Sequence, residues 1–286
     1  MTSLGDSPAP PIDLPDELGV AYERLRAVIA DLGSVLVAFS GGADSALVAW
    51  VAHDVLGTGR ATAVTAVSAS LAGEEHEDCR ALAAEWGLTW QIVATGELGD
   101  ARYVANEGDR CYWCKTALLD AMVPLAEAAQ ATVVLGVNAD DLGDHRPGQE
   151  AAAERGARFP LVEAGFTKPM VRELSRHLGL RTADKPAAAC LASRVPYGTP
   201  VTVGVLAEVE AAESALRALG FAELRVRHYR DLARLEVPVD RLAEVVERRQ
   251  EVVDAVRGAG YRYVTLDLEG LRSGNLNSAL GGPLAT

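Results

Sequence analysis

The hydrophobic positions in the first two thirds of the chain alternate between helical and extended spacing. Apolar residues at helical spacing predict a first helix from about Leu18 to Leu32. Short apolar runs that predict buried strands follow at residues 35–39, 61–67, 88–93 and 131–137. Helical patterns separate them at about residues 44–51, 74–86 and 115–128. Strands that alternate with helices predict an α/β fold with a doubly wound parallel sheet.

The pattern changes near residues 197–200. A helix from about residue 203, two short strands at 223–229 and 233–237, a helix at 242–256 and a last strand at 263–268 predict a small α+β domain. The proline-rich start of the chain predicts disorder. We therefore expect three regions: a disordered tail at residues 1–16, an α/β domain at 17–198 and a small C-terminal α+β domain at 199–286.

The first strand and the helix after it are joined by the segment Ser-Gly-Gly-Ala-Asp-Ser at residues 40–45. Gly41 and Gly42 let the backbone bend and approach a ligand, and the first amides of the new helix have no intrahelical partner. Ser40 and Ser45 add hydroxyl donors suited to pyrophosphate oxygens. The Gly-Lys-Ser/Thr of an ATP-hydrolysing P-loop is absent. The segment instead resembles the pyrophosphate loop of the ATP pyrophosphatases, which cleave ATP to AMP and pyrophosphate.

Other polar residues are expected at the same edge of the sheet, because ligands on such sheets lie beyond the carboxyl ends of the strands. These are Ser68 and the segment 138–141, which contains Asp140 and Asp141. Asp44 either orients Mg²⁺ or caps the helix after the loop. The two aspartates after the fourth strand either bind metal or substrate or cap the next segment.

Two cysteines at CxxC spacing, Cys111 and Cys114, can reach one metal ion or cluster. No second CxxC or HxxxH completes a zinc site. The alternative is that the two cysteines are small, buried hydrophobic residues at the start of a helix. Cys190 lies among Pro, Ala and Gly residues that predict a loop. Lys185 and Arg194 near it would favour its thiolate, which is the reactive form. An inert loop cysteine is the alternative.

Five motifs in this order together resemble the LarE family of ATP-dependent sulfur transferases. They are residues 40–45, 111–115, 136–141, 144–148 and 185–194, and the resemblance runs from about Leu18 to Gly274. It implies that ATP with Mg²⁺ adenylates the carboxylate of a pyridinium mononucleotide. Enzyme-bound sulfur then converts the acyl adenylate to a thiocarboxylate, during biosynthesis of the nickel-pincer nucleotide cofactor.

The resemblance implies two alternative sulfur sources. In the sacrificial version, the cysteine that matches Cys190 gives up its own sulfur. In the other version, three cysteines hold a 4Fe-4S cluster whose fourth iron carries an extra sulfide. The presence of Cys111, Cys114 and Cys190 favours the cluster version. Cys79, on a predicted helix, is expected to be a core residue.

Four basic residues are further candidates for the site. Lys115 and Arg194 are candidates for phosphate or acyl-adenylate contacts, with solvated charge as the alternative. Arg225 and Arg227, two apart on one face of a predicted strand, would form a clamp for the phosphate of the mononucleotide. A solvated sheet face paired with Glu236 is the alternative.

Composition excludes some classes of protein. A net charge of −13 and a pI of about 4.9 argue against nonspecific binding of nucleic acid through phosphate contacts. No apolar run reaches the length of a membrane span, and no signal-like segment begins the chain, so a cytoplasmic protein is expected. The resemblance further implies a homo-oligomer, such as a hexamer, that assembles through the small C-terminal domain.

Three rival functions remain open on the sequence alone. A tRNA-thiolating enzyme with the same loop would need a basic RNA surface. An amide ligase of the NAD or GMP synthetase type would not need the three cysteines. A nucleotide-binding regulatory protein would show no turnover, and carboxylate-dependent conversion of ATP to pyrophosphate separates it from both enzymes.

Overall fold

The structure of the protein is a computed structural model that describes residues 14–143, 147–186 and 189–272. The helices in these residues are α1 (Asp16–Leu32), α2 (Ala43–Leu56), α3 (Gly73–Trp86), α4 (Ala101–Ala105), α5 (Arg110–Ala128), α6 (Pro147–Glu154), α7 (Pro160–Glu163), α8 (Lys168–His177), α9 (Val203–Ala218), α10 (Leu242–Glu247) and α11 (Arg249–Gly258). The strands are β1 (Val35–Ala38), β2 (Ala61–Val67), β3 (Thr89–Ala94), β4 (Thr132–Leu135), β5 (Arg225–Tyr229), β6 (Leu232–Glu236) and β7 (Tyr263–Leu266).

The first four strands form one parallel sheet in the order β3-β2-β1-β4. Strand β1 is apolar at every position because helices cover both faces of the sheet. Val37 packs in a core cluster with Leu25 of α1 and Leu47 of α2, whereas Leu36 packs in a second cluster with Leu119 of α5. Alternate side chains of β1 thus pack against helices on opposite faces of the sheet, which confirms the predicted doubly wound α/β fold.

The last three strands form a second sheet in the order β5-β6-β7. Strands β5 and β6 pair antiparallel through a tight turn in which Arg230 has φ +58°, and β7 pairs parallel with β6. Helices α9 and α11 pack on this sheet through an apolar cluster that includes Leu216 and Val256. This arrangement confirms the small α+β unit that the sequence predicts.

The prediction of one continuous helix at residues 242–256 is wrong. The chain leaves helical geometry at Arg248, which separates α10 from α11. At this break the Arg248 guanidinium donates to the carbonyl oxygen of Leu219 at 2.8 Å and to the carboxylates of Glu244 and Glu251. A local hydrophobic pattern does not report such contacts, because Leu219 lies outside the helix.

The division of the chain into domains stays a prediction. The two sheets lie on opposite sides of the predicted boundary at residues 198–199. Residues 1–13 of the predicted tail lie outside the described part of the chain. Cys79 is fully buried, as expected for a core residue. Within the described ranges, no helix is both long enough and apolar enough to cross a membrane.

A glycine sets the distance between the end of β4 and the start of α2. A Cβ atom at Gly136 would lie 2.5 Å from the backbone nitrogen of Ser45 and 2.7 Å from the carbonyl carbon of Asp44. Real Cβ atoms do not come so close to backbone, so only glycine permits this contact. The close approach brings the loop after β4 against the loop after β1.

We expect Gly136→Ala to destabilise the protein by about 1–3 kcal/mol, because the new methyl group must displace the backbone at the start of α2. Urea unfolding followed by circular dichroism measures the change. Gly59→Ala is the matched control, since a Cβ at Gly59 meets no atom within 4 Å. Equal stability of the two variants would contradict the steric account.

Candidate active site

The loop after β1 is closed by its two serines. Gly41 has φ +68°, a conformation that L side chains rarely adopt. The Ser45 hydroxyl accepts a hydrogen bond from the Ser40 amide at 3.1 Å, lies 3.0 Å from the Ser40 hydroxyl and donates to the Gly42 carbonyl at 3.2 Å. These bonds fix a tight turn at the N-terminus of α2. The first amides of α2, which lack intrahelical partners, therefore face a preformed anion site.

Asp44 lies in the first turn of α2 and joins three elements. Gly42 is the N-cap of α2, so the capping alternative for Asp44 is wrong. One carboxylate oxygen accepts from the Asn138 side-chain amide at 3.1 Å, and the other forms an ion pair with Lys168 at the start of α8. Asp44 therefore ties the loop after β1 to the loop after β4.

Asp140 and Asp141 shape the turn after β4. Asp140 accepts a hydrogen bond at 2.8 Å from the amide of Lys168, the first residue of α8. Asp141 accepts from the Asn138 amide at 3.2 Å. In the described part of the chain, no three His, Cys, Asp or Glu side chains lie close enough to hold one metal ion. The Mg²⁺ roles of Asp44 and Asp141 stay predictions.

Ser68, at the carboxyl end of β2, donates a hydrogen bond from its hydroxyl to the carboxylate of Glu97. Glu97 is only 3% exposed, and among the described residues its second oxygen has no hydrogen-bond partner. Sequence reasoning missed Glu97, because a single Glu in a loop carries no motif. Its carboxylate extends the polar edge of the sheet toward α5.

The CxxC motif lies on the first turns of α5, which begins five residues earlier than the sequence predicts. Cys111 is exposed, Cys114 is partly buried, and Cys190 is exposed directly before a short 3-10 helix, Leu191–Arg194. Burial, and after it negative charge at Cys190, Glu97 and Cys111, raises the pKa of the Cys114 thiol to about 12. The three cysteines therefore converge on one region beside Glu97.

Arg110 stabilises negative charge at this convergence. Its buried guanidinium donates to the Ala192 carbonyl at 2.9 Å and to the Asn106 side-chain carbonyl. Burial alone lowers its pKa, but negative charge at Cys190 and then at Cys111 offsets this effect and the pKa is raised. Arg110 thus places a buried positive charge beside Cys190 and Cys111. Sequence reasoning missed Arg110, although it directly precedes the CxxC motif.

Arg194 holds the turn that carries Cys190. Its guanidinium is 6% exposed and donates to Glu213 of α9 at 2.8 Å, and also to the carbonyl oxygens of Ala189 at 2.7 Å and Cys190 at 3.3 Å. The alternative of a solvated charge is therefore wrong for Arg194. Its contact with phosphate or acyl adenylate stays a prediction. Lys115, the other candidate, lowers the pKa of Cys114, which opposes the effect of burial.

Arg225 and Arg227 lie next to the same turn. Arg227 is buried, forms an ion pair with Glu236 at 2.8 Å and donates to the Ser193 carbonyl at 2.8 Å. The pairing with Glu236 that the alternative predicts is thus observed at Arg227, but this position is buried and not solvated. Burial lowers the pKa of Arg225, as do the positive charges of Arg227 and Arg194. Glu236 and Glu213 oppose this effect, and the phosphate clamp stays a prediction.

Two predicted motifs are described only in part. Residues 144–146 of the motif at 144–148 and residues 187–188 of the motif at 185–194 lie outside the described ranges. Gly148, at the start of α6, contacts α5: a Cβ at this position would lie 3.1 Å from the Cys111 carbonyl oxygen.

The parallel sheet, the loop at Gly41 and the convergent cysteines define an ATP pyrophosphatase of the PP-loop class that handles sulfur. The NAD synthase family model matches residues 21–103. An uncharacterized protein of Synechocystis sp. is 48% identical over 261 residues, which cover 90% of this chain and 97% of that protein. Pyridinium-3,5-bisthiocarboxylic acid mononucleotide synthase of Lactiplantibacillus plantarum is 41% identical over 264 residues, 92% of this chain and 96% of that protein.

The chain belongs to the LarE family of ATP-dependent sulfur-inserting enzymes. The tRNA-specific 2-thiouridylase of Caulobacter sp. is 28% identical over 225 residues, which cover 64% of this chain and 54% of that protein.

The different surroundings of the cysteines predict different reactivity. In apo protein at pH 8, we expect iodoacetamide to modify Cys111 and Cys190 and to leave Cys114 and Cys79 unmodified, since burial raises the pKa of Cys114 to about 12 and that of Cys79 to about 11. Thiolates react, so labelling of the last two should rise only as the pH approaches these values. Peptide mass spectrometry gives the rates. Equal rates at Cys114 and Cys190 at pH 8 would contradict the placement.

Proposed function

We propose that the protein is an ATP-dependent sulfur transferase that converts a carboxylate of a pyridinium mononucleotide to a thiocarboxylate, in biosynthesis of the nickel-pincer nucleotide cofactor. The observation that carries the proposal is the position of Glu97. It hydrogen-bonds to Ser68 at the nucleotide edge of the sheet, and its charge acts on Cys114. This position of Glu97 supports the proposal that the anion loop and the cysteines belong to one site.

In the proposed first step, an oxygen of the substrate carboxylate attacks the α-phosphorus of ATP and pyrophosphate leaves. The amides at the start of α2 and the hydroxyls of Ser40 and Ser45 would bind the pyrophosphate. Asp44 and Asp141 are the proposed ligands of Mg²⁺ at this edge. Adenylation turns a carboxylate, which is a poor electrophile, into an acyl adenylate that sulfur can attack.

Cys111, Cys114 and Cys190 are the proposed ligands of a 4Fe-4S cluster. The charges of Cys190 and Cys111 act on Cys114, which supports a shared site, although the three thiols do not lie close enough to hold a single metal ion. A buried thiol with a pKa of about 12 is a poor nucleophile at neutral pH, but metal coordination removes its proton. With three thiolate ligands, the cluster would have one open iron that can bind sulfide.

Arg225 is the proposed contact of the mononucleotide phosphate, together with Lys115, which directly follows Cys114 on α5. Arg194 and Arg227 lie beside Arg225, and each is paired with a buried glutamate, Glu213 and Glu236 respectively. Both arginines also bind backbone carbonyls of the turn at Cys190 and Ser193. These bonds would keep the sulfur-handling cysteine at a fixed place relative to the substrate phosphate.

The homo-oligomer that the resemblance implies stays a prediction. Large apolar side chains are exposed on the C-terminal unit, among them Val239, Val246, Tyr263 and Leu268. Such side chains suit a contact between copies of the chain.

We expect the purified enzyme to form AMP, pyrophosphate and a thiocarboxylate from ATP and the carboxylated pyridinium mononucleotide. Cys190→Ala should abolish thiocarboxylate formation and keep substrate-dependent exchange of labelled pyrophosphate into ATP, since the loop at Gly41 is unchanged. Radiolabel exchange and mass spectrometry measure the two steps separately. Release of orthophosphate and ADP, or a thiocarboxylate from the variant at the wild-type rate, would overturn the proposal.

For the sulfur source, we expect anaerobically purified enzyme to contain about four irons per chain with matching sulfide. Cys111→Ala should lose them. Tyr112→Phe, which changes the next residue on the same helix, should retain them. Absence of iron after anaerobic reconstitution, with loss of the elements of H₂S from Cys190 after turnover, would instead establish the sacrificial route.

A further inference from the structure

Lys185 is one of only three lysines in a chain that has 27 basic residues, and its ammonium lies at the pyrophosphate loop. A Cβ atom built at Gly41 would lie 3.6 Å from the Lys185 Nζ atom. The two residues come from opposite ends of the α/β unit. Nothing in the local sequence around Lys185 predicts this contact.

Two carboxylates of α3 hold the ammonium in this position. Nζ donates to Glu75 and to Asp78, each at 2.7 Å, and the Lys185 side chain is 17% exposed. Burial alone lowers the pKa of Lys185, but the hydrogen bonds to Asp78 and Glu75 outweigh this effect and raise it. The ammonium therefore stays charged and is held beside the loop.

If Lys185 served only to attach its segment to α3, its ammonium would not need to lie beside the loop at Gly41. Arg181 joins the segment after α8 to the same helix α3 through Asp78 at 2.7 Å and Glu85 at 2.8 Å. Arg181 is 43% exposed and has no contact with the loop among those the structure gives, whereas Lys185 reaches Gly41. Both Arg181 and Lys185 thus pair with Asp78, but of the two only Lys185 also lies beside the loop at Gly41.

We propose that Lys185 is a further phosphate-binding residue, whose ammonium contacts the pyrophosphate part of ATP at the loop around Gly41. The proposal rests on the proposed function of this loop and adds a side-chain cation to its backbone amides. Pyrophosphate carries several negative charges, and an ammonium beside the backbone amides gives one of them a charge-assisted hydrogen bond. Glu75 and Asp78 would keep the lysine extended until the ligand arrives.

The probe for the test is inorganic pyrophosphate with Mg²⁺, titrated calorimetrically into the full chain. We expect Lys185→Met to weaken pyrophosphate binding about 10- to 100-fold, the range for loss of one hydrogen bond to a charged group. Arg181→Met is the matched control and should bind within about twofold of wild type. Thermal unfolding of both variants shows that each is folded.

The outcomes separate this proposal from the proposed function. Weak binding by Lys185→Met with near wild-type binding by Arg181→Met supports a phosphate contact. Equal weakening in both variants would show that Lys185 acts only by holding α3, and wild-type affinity in Lys185→Met would show no contact. Either result overturns the inference. If wild-type protein does not bind pyrophosphate at all, the proposed function fails with it.

Discussion

The active site depends on a close backbone contact at the carboxyl edge of the parallel sheet. Gly136, after β4, packs so tightly against the start of α2 that no side chain fits between them. Asp44 and Asn138 hydrogen-bond across the same gap, and Lys168 adds an ion pair. The anion site at the α2 N-terminus is therefore rigid before a ligand binds, which lowers the entropy cost of binding and orients the phosphates.

The turn that carries Cys190 is held by buried charge. Glu213 of α9 accepts hydrogen bonds from Arg194 at 2.8 Å, from Arg217 at 2.9 Å and from the Val226 amide at 3.0 Å. The C-terminal sheet and the turn at Cys190 thus share one carboxylate. Loss of one partner of a buried ion pair costs about 3–5 kcal/mol, so this turn cannot move without a large penalty. The C-terminal unit therefore holds the turn that carries Cys190 in place.

Local pattern predicted the fold well and the side-chain partners poorly. The bounds predicted for β2 match those observed. A seven-residue, mostly apolar run between turn-forming residues is typical of a buried strand in a parallel sheet. The loop at residues 40–45 was recognisable because its chemistry is encoded in adjacent residues. Lys168 and Asp44 are 124 residues apart, and Lys185 and Glu75 are 110 apart. Only the folded chain brings such pairs together, so spacing along the sequence cannot reveal them.

The central claim is that the substrate carboxylate is adenylated before sulfur replaces one of its oxygens. It is tested most directly with a substrate whose carboxylate carries ¹⁸O. When the carboxylate oxygen attacks the α-phosphorus and sulfur later displaces AMP, the bridging oxygen leaves with AMP. Mass spectrometry should therefore find one ¹⁸O in the phosphate of AMP and none in pyrophosphate. Unlabelled AMP formed together with thiocarboxylate would contradict this account.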